Sequence, residues 1–166
     1  MRRVGILLVL LVISEGLSVT AQNISRGRRY DALFLEAICE RAKGNSDAAF
    51  DLLRRCVEID STQSEAYFYL SPYYSALKQK DRALACVEKA AFLEPLNATY
   101  QETLANTYIN LHQYEKAAEV LEQFYDRHKD RDDVLGILVQ LYDEQQNYES
   151  AIKTLTRLET IEGKSE

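Results

Sequence analysis

The chain contains no tryptophan, two prolines, six glycines, two histidines and three cysteines among its 166 residues. So few turn-forming residues, with leucine, alanine and glutamate recurring throughout, exclude a β-rich domain of this size and describe a helical one. A concentrated basic surface is also missing: the formal charge is −6. A protein built to neutralise phosphates needs the opposite balance, so nucleic acid is not the expected partner. Long apolar runs are absent apart from GILLVLLVI, Gly5 to Ile13, about half of the roughly 20 residues that a spanning helix requires. With 46% hydrophobic and 28% charged residues, the chain is neither a multispan membrane protein nor a disordered acidic tail. Its length suits one domain or a short repeat array.

That single apolar run lies where an export signal would. Arg2 and Arg3 precede it, Glu15 follows it, and Val19-Thr20-Ala21 offers compact side chains for a signal peptidase. The expectation is a signal peptide over 1–21, a mature chain starting at Gln22, and a location in the periplasm or cell envelope. No membrane insertion is expected once the signal is cleaved; an uncleaved anchor is the weaker reading. No cysteine lies near the cleavage point, so a lipid anchor is not indicated. Residues 22–29 are expected to be a flexible lead-in whose Arg26, Arg28 and Arg29 form too short a patch to hold nucleic acid or membrane. Cys39, Cys56 and Cys86 are odd in number and match no metal-ligand spacing. They read as thiols packed on or beside apolar helix stripes, with a Cys39–Cys56 bridge as the alternative.

Self-similarity organises everything after the signal. SEAYFYLSPYYSALKQKDRALACVEKAAFLEP from Ser64, ATYQETLANTYINLHQYEKAAEVLEQFYDRHK from Ala98 and DDVLGILVQLYDEQQNYESAIKTLTRLETIEG from Asp132 align without gaps. Leu70, Leu104 and Leu138 coincide, as do Tyr74, Tyr108 and Tyr142, and Ala83, Ala117 and Ala151. One period earlier, the segment from Tyr30 supplies Leu33, Ala37, Ala49 and Leu53 in register. Each unit holds two amphipathic stretches around a polar turn: Lys43-Gly44-Asn45-Ser46, Lys78-Gln79-Lys80, His112-Gln113 and Gln146-Asn147. Alanines allow the two helices of a hairpin to touch, while tyrosines and leucines fill the space towards the next. One such hairpin cannot bury its apolar face alone, so stacking is obligatory.

With this period of about 34 residues, the chain resembles the tetratricopeptide repeat family, and within it the secreted members of Gram-negative bacteria. The fold so implied is an all-α, right-handed α-solenoid of four helix-turn-helix repeats behind a cleavable signal peptide, at 30–63, 64–97, 98–131 and 132–166. Repeat two matches the family pattern best, with Tyr67, Leu70, Tyr74, Ala83, Ala90 and Pro95. Repeat one departs most, with Glu36 and Glu40 at family Leu and Tyr positions, as suits a terminal repeat meeting water.

No catalytic constellation accompanies this pattern. His112 and His128 have no nucleophile or carboxylate at a shared-site spacing, no glycine-rich phosphate loop occurs, and Asp132-Asp133 and Asp143-Glu144 read as helix-start and solvated-face acids. The expectation is therefore no enzyme, no cofactor and no metal. The resemblance implies instead a scaffold that binds a peptide or helical segment of another protein in a concave groove. Its groove positions would be Phe34, Ile38, Phe68, Pro72, Ser75, Glu102, Asn106, Ile109, Gly136, Gln140 and Asp143. They lack the basic set with which family members hold a terminal carboxylate. An apolar segment would suit the first half and polar or basic residues the part towards Asp143 and Glu144. Some of these aromatics have packing between hairpins as an alternative role, and Tyr67, Tyr74, Tyr108 and Tyr142 are assigned to packing outright. Pro72, inside a helical stretch, removes one backbone donor. A second reading makes the chain a self-associating or envelope-complex assembly element, homodimeric or docked through Ile152, Leu155 and Leu158 of an uncapped last helix. For that face, truncation of a longer array or an early stop is the favoured expectation, self-association comes second, and a partly solvated natural end is the remaining reading.

Overall fold

The computed structural model describes Gln22 and residues 24–163. The expected signal peptide, 1–21, lies outside the described residues. All regular elements among them are helical: α1 (24–42), α2 (Ser46–Ile59), α3 (Ser64–Ala76), α4 (Lys80–Leu93), α5 (Ala98–Asn110), α6 (Tyr114–Arg127), α7 (Asp133–Glu144) and α8 (Tyr148–Glu162). Residues 24–29, read from sequence as a flexible lead-in, are instead helical and continuous with α1; arginine is a good helix former, and three occur there. Pro72 sits within α3 and is solvent-exposed. No described helix is long and apolar enough to cross a membrane.

Tight turns join the helices pairwise, and all four are built alike. Gly44, Lys78, His112 and Gln146 adopt positive φ, at 83°, 58°, 56° and 56°. Their N–H groups donate to Arg41, Ser75, Ile109 and Asp143 carbonyls. The next N–H groups, of Asn45, Gln79, Gln113 and Asn147, donate five residues back to Glu40, Tyr74, Tyr108 and Tyr142. This is the Schellman arrangement, which satisfies carbonyls that a helix end would otherwise leave open. The following helix starts at once, with Ala49, Ala83, Ala117 and Ala151 N–H groups returning to those same four residues. These alanines are all buried.

The described residues form two compact units, one up to Leu70 and one from Ser71 onward. In the first, Tyr30 of α1, Cys56 of α2 and Ala66 of α3 make a buried cluster against which Leu33, Phe34, Val57 and Ile59 pack. Between α2 and α3, Asp60 accepts from the Thr62 N–H and hydroxyl at 3.0 and 2.6 Å, which holds its carboxyl below the usual carboxylate range. In the second unit, α4 packs on α5, α5 on α6, α6 on α7 and α7 on α8. Val87, Ala90, Leu104, Leu121, Phe124, Leu135 and Leu138 fill its interior.

Tyr108 and Tyr142 are buried, which agrees with their assignment to packing, and they add a polar tie. The Tyr108 hydroxyl donates to Glu88 of α4 at 2.6 Å, and the Tyr142 hydroxyl donates to Glu122 of α6. Each tie therefore links the first helix of a hairpin to the second helix of the hairpin before it. Tyr67 and Tyr74 are half-buried. All three cysteines are free. Cys56 and Cys86 are buried, which pushes each thiol up to about 11. Cys39 is exposed, contrary to its reading as a packed thiol. The apolar stripe of α1 runs through Tyr30, Leu33 and Ala37, and Cys39 lies beyond its edge.

Candidate protein-binding surface

The two units present different surfaces. In the first, Phe34, Ile38 and Phe68 are all half-buried. Phe34 stacks on Tyr30 with ring centroids 5.8 Å apart and nearly parallel planes, and meets Tyr69 at 5.7 Å. It leans on the buried cluster, so a good part of its role is packing. Phe68 meets Tyr69 edge-on at 5.7 Å, and the Arg41 guanidinium lies 4.8 Å from the Tyr69 ring centre. The outcome is an aromatic patch with one cation over it.

In the second unit, α5 and α7 carry the candidate residues at matching positions. Glu102 and Gly136 correspond, then Asn106 and Gln140, then Ile109 and Asp143. Asn106, Gln140 and Asp143 are exposed, Ile109, Glu102 and Gly136 are half-buried, and Pro72 and Ser75 of α3 are exposed. A Cβ added at Gly136 would meet nothing within 4 Å, so no packing demands a glycine there. Leu104, Leu138, Tyr108 and Tyr142 turn the opposite way and are buried. The 100° step of the helix thus keeps the apolar side inward and leaves amides and acids outward.

Two features of this surface escaped the sequence reading. Arg131, in the loop before α7, ties the surface together. Its Nη1 donates to Glu102 at 2.6 Å, while Nε and Nη2 grip Asp133 at 2.8 and 2.7 Å. Glu102 is therefore neutralised rather than presented as a bare acid, and the Asp133 carboxyl is held below its ordinary range by the guanidinium. No spacing rule would have paired residues 29 apart; only the fold brings them together. The second feature is readable in sequence once helix limits are known: α3, α5 and α7 contain no lysine or arginine. The cations of this region sit on α4, α6, α8 and the loops. Asp143 and Glu144 remain as exposed acids at the end of α7.

The histidines occupy structural positions. His112 supplies a turn and its Nδ1 lies 2.8 Å from the Tyr114 hydroxyl. His128 caps α6 and its ring packs 4.5 Å from Phe124. Among the described residues no group of His, Cys, Asp or Glu is placed to hold a metal ion.

The last helix differs in part from expectation. Ile152 and Leu155 are exposed, at 64% and 42%, and Tyr148 joins them at 59%. Leu158 is half-buried and shares the inward side with buried Ala151 and Thr154. The outward apolar stripe is thus Tyr148, Ile152 and Leu155, with Leu158 belonging to the face packed on α7.

Comparison with known proteins agrees with this geometry. No curated protein matches the sequence. The solved structure of MamA superimposes with a TM-score of 0.64 at 20% identity, over 82% of this chain and 80% of that one. MamA from Desulfovibrio magneticus RS-1 gives 0.62 at 16% identity, over 78% and 73% of the two chains. A chain of the Naa15/Naa10 complex bound to HypK-THB gives 0.69 at 23% identity, over 87% of this chain but 22% of that one. At these identities the likeness is one of fold. Two sequence models, each described as a tetratricopeptide repeat, match residues 31–61 and 108–165, together more than half of the chain. The chain belongs to the tetratricopeptide repeat family.

Proposed function

We propose that this protein-interaction scaffold holds its partner along the outward faces of α5 and α7, as an extended segment or helix that is neutral or basic rather than acidic. The observation carrying this reading is the match of Asn106 with Gln140, two exposed amides one repeat apart on helices that carry no cation. An amide side chain both donates and accepts, so it can meet a peptide backbone irrespective of the partner's side chains. Gly136, with open space beside it, lets a partner's backbone come close to α7. Asp143 and Glu144 favour a lysine or arginine at that end, whereas Arg131 is already engaged by two carboxylates. A partner ending in an acidic tail would find no cation on α5 or α7 to receive it.

The test is affinity capture from crosslinked cell extract with the wild type and with the Asn106→Ala, Gln140→Ala double variant. The partner captured by wild type is expected to fall at least about tenfold in the double variant, the equivalent of roughly 1.4 kcal/mol. Equal recovery would remove these helices from the binding surface. Export belongs to the same proposal, supported by Arg2-Arg3, the Gly5–Ile13 run and Ala21. Amino-terminal sequencing of the protein from its native cell should read Gln22 first; a start at Met1 in the cytoplasmic fraction would contradict it.

A further inference from the structure

We infer that the exposed face of α8 pairs with α8 of a second copy of this chain, antiparallel and about a two-fold axis. The starting point is register. Tyr148, Ile152 and Leu155 lie one repeat beyond Tyr114, Ala118 and Leu121 of α6. On α6, against which α7 packs, Ala118 and Leu121 are buried at 4% and 3%. On α8 the equivalent positions are open, and Ile152 stands where α6 has the smaller Ala118. A face with this apolar content marks an interaction site.

The identity of its occupant follows from what α8 changes. The last two junctions are each closed by a tyrosine hydroxyl on a glutamate, Tyr108 on Glu88 and Tyr142 on Glu122, whereas the matching position for Tyr74 is Arg54. On α8 the glutamate position is Thr156, whose short side chain turns back onto the Ile152 carbonyl at 2.9 Å. A further hairpin of the kind that repeats three and four form would bury its tyrosine hydroxyl there without that acceptor, a loss of about 1–3 kcal/mol. A second α8 meets no such penalty. Tyr148, Ile152, Leu155 and Glu159 follow each other at helical spacing on one outward face. Positions 148 and 159 are equidistant from the midpoint between 152 and 155. An antiparallel pair centred there sets each Ile152 against Leu155 of the second copy. It also brings each Tyr148 hydroxyl to Glu159 of the second copy, remaking the tyrosine–glutamate tie. Two such stripes bury less than the roughly 1,200 Å² of a standard stable interface, so the dimer is reversible and concentration-dependent.

Sedimentation equilibrium over rising concentration gives the first readout. Wild type should pass from monomer towards dimer, Leu155→Glu should remain monomeric, and Tyr148→Phe, which removes both ties of the symmetric pair, should shift the midpoint to at least about tenfold higher concentration. Crosslinking gives the second. In a Cys39→Ser background, Ile152→Cys and Leu155→Cys chains should form a mixed disulfide dimer when combined and little of either homodimer. Circular dichroism melting of each variant confirms that its fold is kept. A monomer at every concentration to about 1 mM, a dimer indifferent to Leu155→Glu, or a predominant Ile152→Cys homodimer would each overturn the inference. Partner capture through α5 and α7 should be unchanged in Leu155→Glu, which separates this surface from the one proposed above.

Discussion

Gly44, Lys78, His112 and Gln146 stand one repeat apart in the left-handed conformation, and only the first is the residue type that conformation favours. Substituting glycine for Lys78 or Gln146 should raise stability by about 0.5–1 kcal/mol, because strain removed exceeds unfolded-state freedom gained. Gly44→Ala should lower it by about 1 kcal/mol, a purely backbone cost since no atom lies within 4 Å of the added Cβ. Urea unfolding of the three variants checks both signs. The turns themselves were legible from their polar residues, but the strained conformation was not, since lysine, histidine and glutamine carry no signal for it. Burial of the thiols is likewise a property of the fold. Cys39 alone should react with a maleimide in the native protein, and all three cysteines after unfolding. Cys56 and Cys86 favour the neutral thiol in the fold, held to about 11 against an ordinary 9.0. Their contribution is full below pH 9 and disappears as pH rises through the folded value. Tyr108 and Tyr142, whose hydroxyls are pushed up by burial and a glutamate partner, act in the same direction. The melting temperature should therefore fall between pH 9 and 11, as a pH series of thermal melts would record.

Helix pairs are held apart or together by the size of what lies between them. Ala117 is fully buried where α6 begins beside α5, and Ala117→Leu should cost about 1–3 kcal/mol by overpacking. A melt like that of wild type would mean the repeat register is misplaced. Gly136 offers the opposite case. Gly136→Ala, in the first turn of α7 with open space beside it, should stabilise by about 0.5–1 kcal/mol and yet weaken partner capture, because the methyl occupies the space left for a partner. A gain in both would show that nothing approaches α7 there. The helical character of the chain and its buried alanines and leucines could be read from periodicity. What periodicity does not reveal is which part of an apolar arc is covered. On α8 the arc runs from Leu158 through Ala151, Leu155 and Tyr148 to Ile152, and only packing against α7 decides that Leu158 turns in while Tyr148 stays out.

Across the last three repeats, charge is sorted by helix, whereas α1 carries Arg26, Arg28, Arg29 and Arg41. The first helices α3, α5 and α7 hold acids but no lysine or arginine, although the chain has 20 basic residues in all. Family membership followed from the period and the Ala, Leu and Tyr register, whereas the Arg131 bridge to Glu102 and Asp133 needed the fold, because it joins the loop before α7 back to α5. The central claim is that a protein partner lies on the outward faces of α5 and α7. Its most direct test places a photo-crosslinking amino acid in living cells at Asn106, at Gln140 and, as a control, at exposed Gln123 of α6. Light should join one and the same protein to positions 106 and 140 and leave 123 without it. Adducts at 123 equal to those at 106 and 140, or at 123 alone, would contradict the claim.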